Sequence, residues 1–330
     1  MSHLGMARVD ITSRLSDQLK DALAEEERIA ASVVAEIGEK PAADDVAGQR
    51  RLYNANRAFW NEGGPAMADR VDLTIDGPGS DLALRIHYPS DERPLPALIF
   101  LHGGGWVLGN LDTHDRIMRQ LAADSGLAVV GVDYRLAPEA PFPCANEDAA
   151  VAVHWLAENG GSLGLDVDRL TIGGDSAGAA LSLGTLHHFK EERPGLLKAG
   201  LLYYGAFGLK DSRSRRLFGG AEDGLSAETL AFFRDCLMAP GAAKPDWRLD
   251  LLSRDVARLP PLFIGPVECD PLRDDSDTLS ELCVDAGVPH DYHLFKGVLH
   301  GFLHMSRMVD ASREALAMGG AFLRRHVAPV

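Results

Sequence analysis

Cysteine is scarce in this sequence. The four cysteines, Cys144, Cys236, Cys269 and Cys283, form no CxxC pair, which argues against a zinc site. A chain of 330 residues needs no disulfides to hold a core, so buried free thiols are expected. Long apolar runs are missing too. No stretch of about 20 apolar residues exists to span a bilayer. Residues 1–19 lack the apolar centre of a signal peptide, which points to a cytoplasmic protein. Basic residues are in deficit, 33 Lys and Arg against 48 Asp and Glu, for a net charge of −15. That balance argues against nucleic acid and anionic lipid as partners, since both need a basic patch. The acidity serves solubility, with a mild preference for neutral or cationic substrates as the other reading. Internal repeats and low-complexity segments are absent.

What is present is an ordinary globular composition, 46% hydrophobic and 25% charged, long enough to bury a deep, dry site. The first section, residues 11–61, is charged and helix-forming. Leu19, Leu23, Ile29, Val33 and Ile37 recur at helical spacing, and Gly38 and Pro41 mark a break. From residue 71 the texture changes to eight short strand-like runs: 71–75, 82–88, 97–102, 127–132, 170–173, 199–204, 262–267 and 291–295. The first two flank Asp76-Gly77-Pro78-Gly79-Ser80, a turn, and read as an antiparallel hairpin. The later runs are apolar on both faces, as in a parallel sheet covered by helices. Helical segments at 115–125, 146–159, 177–189, 274–286 and 311–326 alternate with them. This is an α/β fold with an eight-stranded, mostly parallel sheet flanked by helices. One connection, from Tyr204 to Leu262, is too long for a single crossover and includes a helical stretch at 226–238. It reads as an insertion at about 207–251. With the N-terminal helices it forms a helical cap over the carboxyl edge of the sheet. The domain reading is therefore residues 1–65 as an N-terminal helical cap segment and 66–330 as the catalytic domain carrying the insertion.

The most specific chemistry sits in Gly174-Asp175-Ser176-Ala177-Gly178, between an apolar strand and a helix. Strand, sharp turn and helix are the context that a G-x-S-x-G nucleophile elbow requires. The glycines two residues either side of Ser176 leave room where a side chain would meet neighbouring backbone. The turn lifts the hydroxyl to a helix N-terminus, whose dipole favours developing negative charge. A glycine-rich helix cap without chemistry is the plainer reading. A second motif, His102-Gly103-Gly104-Gly105-Trp106, follows the strand at 97–101. Consecutive glycines expose backbone N–H groups, and two of these with the N–H of Ala177 suit an oxyanion hole. A phosphate cradle normally ends in GK[ST], which is absent here. His102 itself reads as a structural hydrogen-bonder.

A serine hydroxyl needs a base. The chain order serine, acid, histidine leaves His290, His293, His300, His304 and His326 as candidates. His300 follows the last strand by a short loop, where a base can reach the serine. For the acid, Asp270 stands just past the strand at 262–267 and before Pro271, with Glu268 and Asp274 as rivals. Its task is to hold the imidazole tautomer and stabilise the imidazolium. Trp106 and Tyr204 are read as pocket-lining and Asp175 as a substrate-binding neighbour, against plain core packing.

Taken together, His102–Trp106, Asp133–Glu139, Gly174–Gly178, Asp270–Asp274 and His300-Gly301-Phe302 resemble the hormone-sensitive-lipase-like, bacterial family IV carboxylesterases. The likeness covers about residues 70–327, with the five motifs in order. The resemblance implies an α/β-hydrolase fold with a helical cap. It implies Ser176, Asp270 and His300 as a triad, and Gly104, Gly105 and Ala177 as the oxyanion donors. It further implies hydrolysis of small-molecule, short-chain acyl esters through an acyl-enzyme, without metal or cofactor, in a family whose members often form homodimers through the last strand or the cap. Asp133–Glu139 would brace loops near the site, with Arg135 outside the chemistry. Ala179 departs from the family, which usually has a second glycine there, and the cap is the least recognisable part. Two other classes use the same scaffold. An amide or carbamate hydrolase would share the triad. A non-catalytic ligand receptor would lack the histidine that His300 supplies.

Overall fold

The computed structural model describes residues 9–42, 44–220, 224–238 and 246–328. Those parts of the expected segments 1–65 and 207–251 that fall on 1–8, 43, 221–223 and 239–245 lie outside the described residues. The strands are β1 (Asp69–Ile75), β2 (Leu82–Tyr88), β3 (Leu95–Leu101), β4 (Ala128–Val132), β5 (Leu165–Asp175), β6 (Leu197–Tyr203), β7 (Leu262–Gly265) and β8 (His290–Tyr292). They join in one sheet in the order β1-β2-β4-β3-β5-β6-β7-β8. The hairpin β1–β2 pairs antiparallel, with Ile75 opposite Leu82 across the glycine-rich turn. β2 also runs antiparallel to β4. Every pairing from β4 through β8 is parallel.

Alternation along the strands explains why the parallel part is apolar on both faces. Ala97, Ile99 and Leu101 of β3 enter one buried cluster, and Leu98 and Phe100 enter the other. The first cluster is closed by α4 (Cys144–Asn159), α5 (Ala177–Glu192) and α8 (Arg273–Ala286), through residues such as Val153, Leu186 and Leu279. The second is closed by α3 (Asp115–Ser125) and α9 (Asp310–Val327), through Leu121, Leu316 and Phe322. Each fully buried aliphatic or aromatic side chain contributes about 1.5–3 kcal/mol, so the two layers hold the central strands firmly.

The N-terminal section forms α1 (Asp17–Ile37) and α2 (Val46–Asn61). Gly38 ends α1 in a left-handed conformation, φ 88°, and Asp45 caps α2 by accepting the N–H of Gly48. Leu19, Ala22 and Trp60 are buried in the second cluster, so this section is packed onto the body. It also reaches the loop after β8 and the end of the helix at 213–217. The N–H of Ser16 donates to Gly297 at 2.9 Å, and that of Val9 to Leu217 at 3.1 Å. The long connection after β6 contains α6 (Arg213–Leu217) and α7 (Ala227–Leu237).

Several boundaries differ from the sequence reading. β5 begins at Leu165 rather than 170, through an irregular stretch where its register against β3 shifts. β7 stops at Gly265 because Pro266 has no N–H to donate, and pairing resumes only as a bridge between Val267 and Phe295. β8 is correspondingly short and begins at His290. β7 pairs on both sides, so of these last two strands only β8 lies at the edge of the sheet. All four cysteines are free, but Cys144 and Cys236 are only half-buried. No helix among the described residues is long and apolar enough to cross a membrane.

Candidate active site

Ser176 stands where β5 passes into α5, with φ 53° and ψ −116°, a conformation strained for a residue with a side chain. Its neighbours enforce it. A Cβ on Gly174 or Gly178 would run into the carbonyl oxygen of Leu101 on β3, so only glycine fits at either place. The N–H of Ser176 donates to Tyr203 at the end of β6, 2.9 Å away. Ser176 is partly exposed, whereas the flanking Asp175 and Ala177 are buried.

His300 lies in the loop after β8, between Gly297 and Gly301, both with positive φ. Its Nε2 is 2.8 Å from Ser176 Oγ and its Nδ1 is 2.7 Å from Asp270 Oδ2. Asp270 is fully buried, and its other oxygen accepts the N–H of Leu272 at 2.8 Å. One carboxylate oxygen is thereby pinned by backbone while the other receives the imidazole. A carboxylate accepts only, so Nδ1 carries the proton and Nε2 is left to accept from the serine. The rivals are occupied elsewhere. Glu268 pairs with Arg14 at 3.8 Å, and Asp274 accepts the N–H of Ser214 at 2.8 Å. His290 meets Ser280, His293 packs on Phe295, and His326 packs on Phe322. His304 is buried in a short 3-10 turn, Phe302–Met305, rather than in a following α-helix, with Nε2 3.4 Å from the Tyr53 hydroxyl.

The glycine loop after β3 sits beside the serine. Gly104 has φ 118° and Gly105 φ 62°, and the carbonyl of Gly104 accepts from Val107 and Leu108. Among the described residues the N–H groups of Gly104 and Gly105 meet no acceptor, and that of Ala177, in the first helical turn, has no preceding carbonyl to use. The loop is braced from below. Gly103 donates its N–H to Asp175 Oδ1 at 2.9 Å. Tyr134 donates to the carbonyl of His102 at 2.6 Å and stacks on its ring. Arg135 is tied to Asp148. His102 hydrogen-bonds Gly103, and burial pushes its pKa down to about 3, so it stays neutral and structural.

Trp106 is half-buried at φ 62°. Two side chains read from the sequence as substrate-facing prove to be closed off. Asp175 is 2% exposed and Tyr204 0%. Asp175 points beneath the glycine loop, where its carboxylate also lies 3.4 Å from His114 Nε2. Burial opposes its charge, but His114 and the Gly103 N–H outweigh burial and hold the carboxyl below its usual range. Tyr204 turns its ring onto His300, 4.8 Å between centroids, and so supports the imidazole from the side.

Two groups of described residues bring three metal-capable atoms within 4.8 Å of one another. His114, Asp175 and His304 are buried, with Asp175 already engaged by Gly103. His154, His188 and Glu192 lie on the surface of α4 and α5, where Glu192 pairs with both histidines.

Sequence reasoning missed Arg50. From α2 its Nε donates to the carbonyl of Val107 at 2.8 Å, while Nη2 reaches the carbonyl of Ala137 and Glu139. It ties the N-terminal helices to the glycine loop and to the Asp133–Glu139 segment at once. An arginine on a helix has no periodic signature, so nothing in the sequence marked it. Phe233, on α7, was missed for the same reason; its ring lies against Gly105.

Comparison with known proteins gives the family of the chain. A family model described as the alpha/beta hydrolase fold matches residues 98–304. The chain is 37% identical over 318 residues to an acetyl esterase of Salmonella choleraesuis, covering 96% of each. Among solved structures, a thermostable carboxylesterase from a metagenomic library is 32% identical with a TM-score of 0.84, covering 86% of this chain and 98% of that one. An esterase of the archaeon Pyrobaculum calidifontis is 31% identical with a TM-score of 0.85, covering 96% and 100%. With eight strands in this order and relatives at this identity, the chain belongs to the hormone-sensitive-lipase-like carboxylic ester hydrolases of the α/β-hydrolase family.

Proposed function

We propose that the ester hydrolysis proceeds by acyl transfer through Ser176, with His300 as base and Asp270 as its orienting acid. The observation that carries this reading is the unbroken chain Asp270–His300–Ser176, at 2.7 and 2.8 Å. His300 Nε2 takes the hydroxyl proton as Ser176 Oγ bonds to the ester carbonyl carbon. The carbonyl oxygen becomes an oxyanion held by the N–H groups of Gly104, Gly105 and Ala177. One such donor is typically worth about 10²–10³ in rate. The tetrahedral intermediate collapses, the C–O bond to the alcohol breaks, and His300 returns the proton to the departing oxygen. A water, deprotonated by the same nitrogen, attacks the acyl-enzyme, and the acid leaves with Ser176 restored. Asp270 stays ionised throughout and stabilises the imidazolium.

The substrate class is a small ester with a short acyl group. The acetyl esterase relative supports the acyl part. α1, α2 and α7 act as the cap, since Ser16 at the head of α1, Arg50 and Phe233 contact the loops that carry His300 and the glycines. A homodimer through the exposed edge of β8 fits the same picture, Tyr292 there being 39% exposed.

The test is hydrolysis of p-nitrophenyl esters from acetate to palmitate by wild type and Ser176→Ala. Rapid turnover of the short esters, lowered by at least about 10³-fold in the variant, is expected. A folded wild type inert on all of them would favour ligand binding without catalysis.

A further inference from the structure

We propose that Phe233 sets the acyl-chain limit of the site, closing the acyl side of the cleft so that acetyl to butyryl groups fit and longer straight chains do not. This rests on the serine acyl-transfer reading above.

The argument begins at Gly105. A Cβ there would fall 2.6 Å from Cδ1 of Phe233 and closer still to Cγ and Cδ2. The ring of Phe233 thus lies flat against the backbone of a glycine assigned to the oxyanion hole. It is held there. Phe233 is half-buried among Trp106, Leu108 and Phe232 around Val107 and Leu237, and the carbonyl of Leu237 accepts the N–H of Phe142 at 2.9 Å.

The direction of α7 decides which half of the ester the ring meets. The approach to α7 starts beside His300: a Cβ on Gly224 would lie 3.5 Å from Leu299 Cβ and 3.8 Å from the His300 carbonyl. From Ala227 to Phe233 the helix then advances about 9 Å, at 1.5 Å per residue, to reach the glycine loop. His300 must protonate the leaving oxygen, so the alcohol departs at the Gly224 end. The acyl chain extends from the carbonyl carbon away from His300. It therefore runs toward the end where Phe233 stands, and a flat, anchored ring shortens that space.

The experiment is kcat/KM on two ester series, one with fixed p-nitrophenol and acyl chains from acetate to decanoate, one with fixed acetate and alcohols from methyl to hexyl. The proteins are wild type, Phe233→Ala, Phe233→Leu and Phe233→Trp, each checked for folding by thermal unfolding. Phe233→Ala is expected to raise the octanoate-to-acetate ratio by about tenfold or more, because a cleared apolar pocket gains roughly that per added methylene or two. Phe233→Leu should fall between it and wild type, and Phe233→Trp should lower butyrate relative to acetate. The alcohol series should keep its order in all four. Folded variants with an acyl profile parallel to wild type overturn the proposal, as does a change confined to the alcohol series. A wild type inert on every ester overturns the hydrolase reading itself, and this one with it.

Discussion

The guanidinium of Arg50 donates from Nε to the carbonyl oxygen of Val107 at 2.8 Å. With its bond to the Ala137 carbonyl, also 2.8 Å, one side chain from α2 fixes the spacing of two loops around the cleft. The planar fork of arginine spans both acceptors, and the point charge of lysine does not. We expect Arg50→Ala and Arg50→Lys alike to lower kcat/KM for p-nitrophenyl acetate by about ten- to a hundredfold, the scale of a displacement of about 1 Å in a catalytic loop. Steady-state kinetics on folded variants decides this, and activity within twofold of wild type would show that the loops hold their positions unaided.

Asp175 gives a second expectation. Its Oδ1 accepts the N–H of Gly103 at 2.9 Å, so the residue preceding the proposed nucleophile also anchors the glycine loop. Asp175→Asn keeps the volume but loses the charge and brings an NH2 group to the same buried site. We expect kcat to fall about tenfold or more with KM nearly unchanged, since a shifted oxyanion donor acts on the transition state and not on the bound ester. A change confined to KM would place Asp175 in ground-state binding, as the sequence first suggested.

The contrast between these residues shows what the sequence could reveal. The elbow and the glycine loop were legible because their geometry is local: a strand, a turn that tolerates only glycine, and a helix, all within a few residues. Asp270 and His300 were legible from their place just past strand ends. Arg50 and Phe233 were not, because their roles depend on where α2 and α7 dock, which no short pattern encodes. Asp175 and Tyr204 were misread for a related reason. Adjacency to Ser176, or to the neighbouring strand end, does not say which way a side chain points, and packing turned both inward. The early start of β5 and the interruption after β7 came from register shifts and from the missing N–H of Pro266, which a periodicity count does not resolve.

Buried histidines make stability depend on pH. Burial pushes His102 down to about 3 and His187 down to about 4, from an ordinary 6.5, and holds His304 well below that value. Above pH 6.5 both folded and unfolded chains keep them neutral, and their contribution is fully present. As pH falls below 6.5 the unfolded chain takes up protons that the folded chain refuses, so stability is lost down to about pH 3–4. By pH 5 each of His102 and His187 contributes a loss of ~2 kcal/mol. His187 lies on α5 away from the cleft, so His187→Leu should shrink the drop in unfolding free energy between pH 7.5 and pH 5 by about that amount. Urea unfolding at the two pH values measures it, and an undiminished drop would contradict the assignment.

The central claim is that Ser176 is the residue that becomes acylated. It is tested most directly by reacting the protein with diethyl p-nitrophenyl phosphate and mapping the modified peptide by mass spectrometry. We expect one equivalent of p-nitrophenol to be released, one diethylphosphoryl group on Ser176, loss of esterase activity in proportion, and no labelling of Ser176→Ala. Label on another residue, or full labelling with activity retained, would contradict the mechanism.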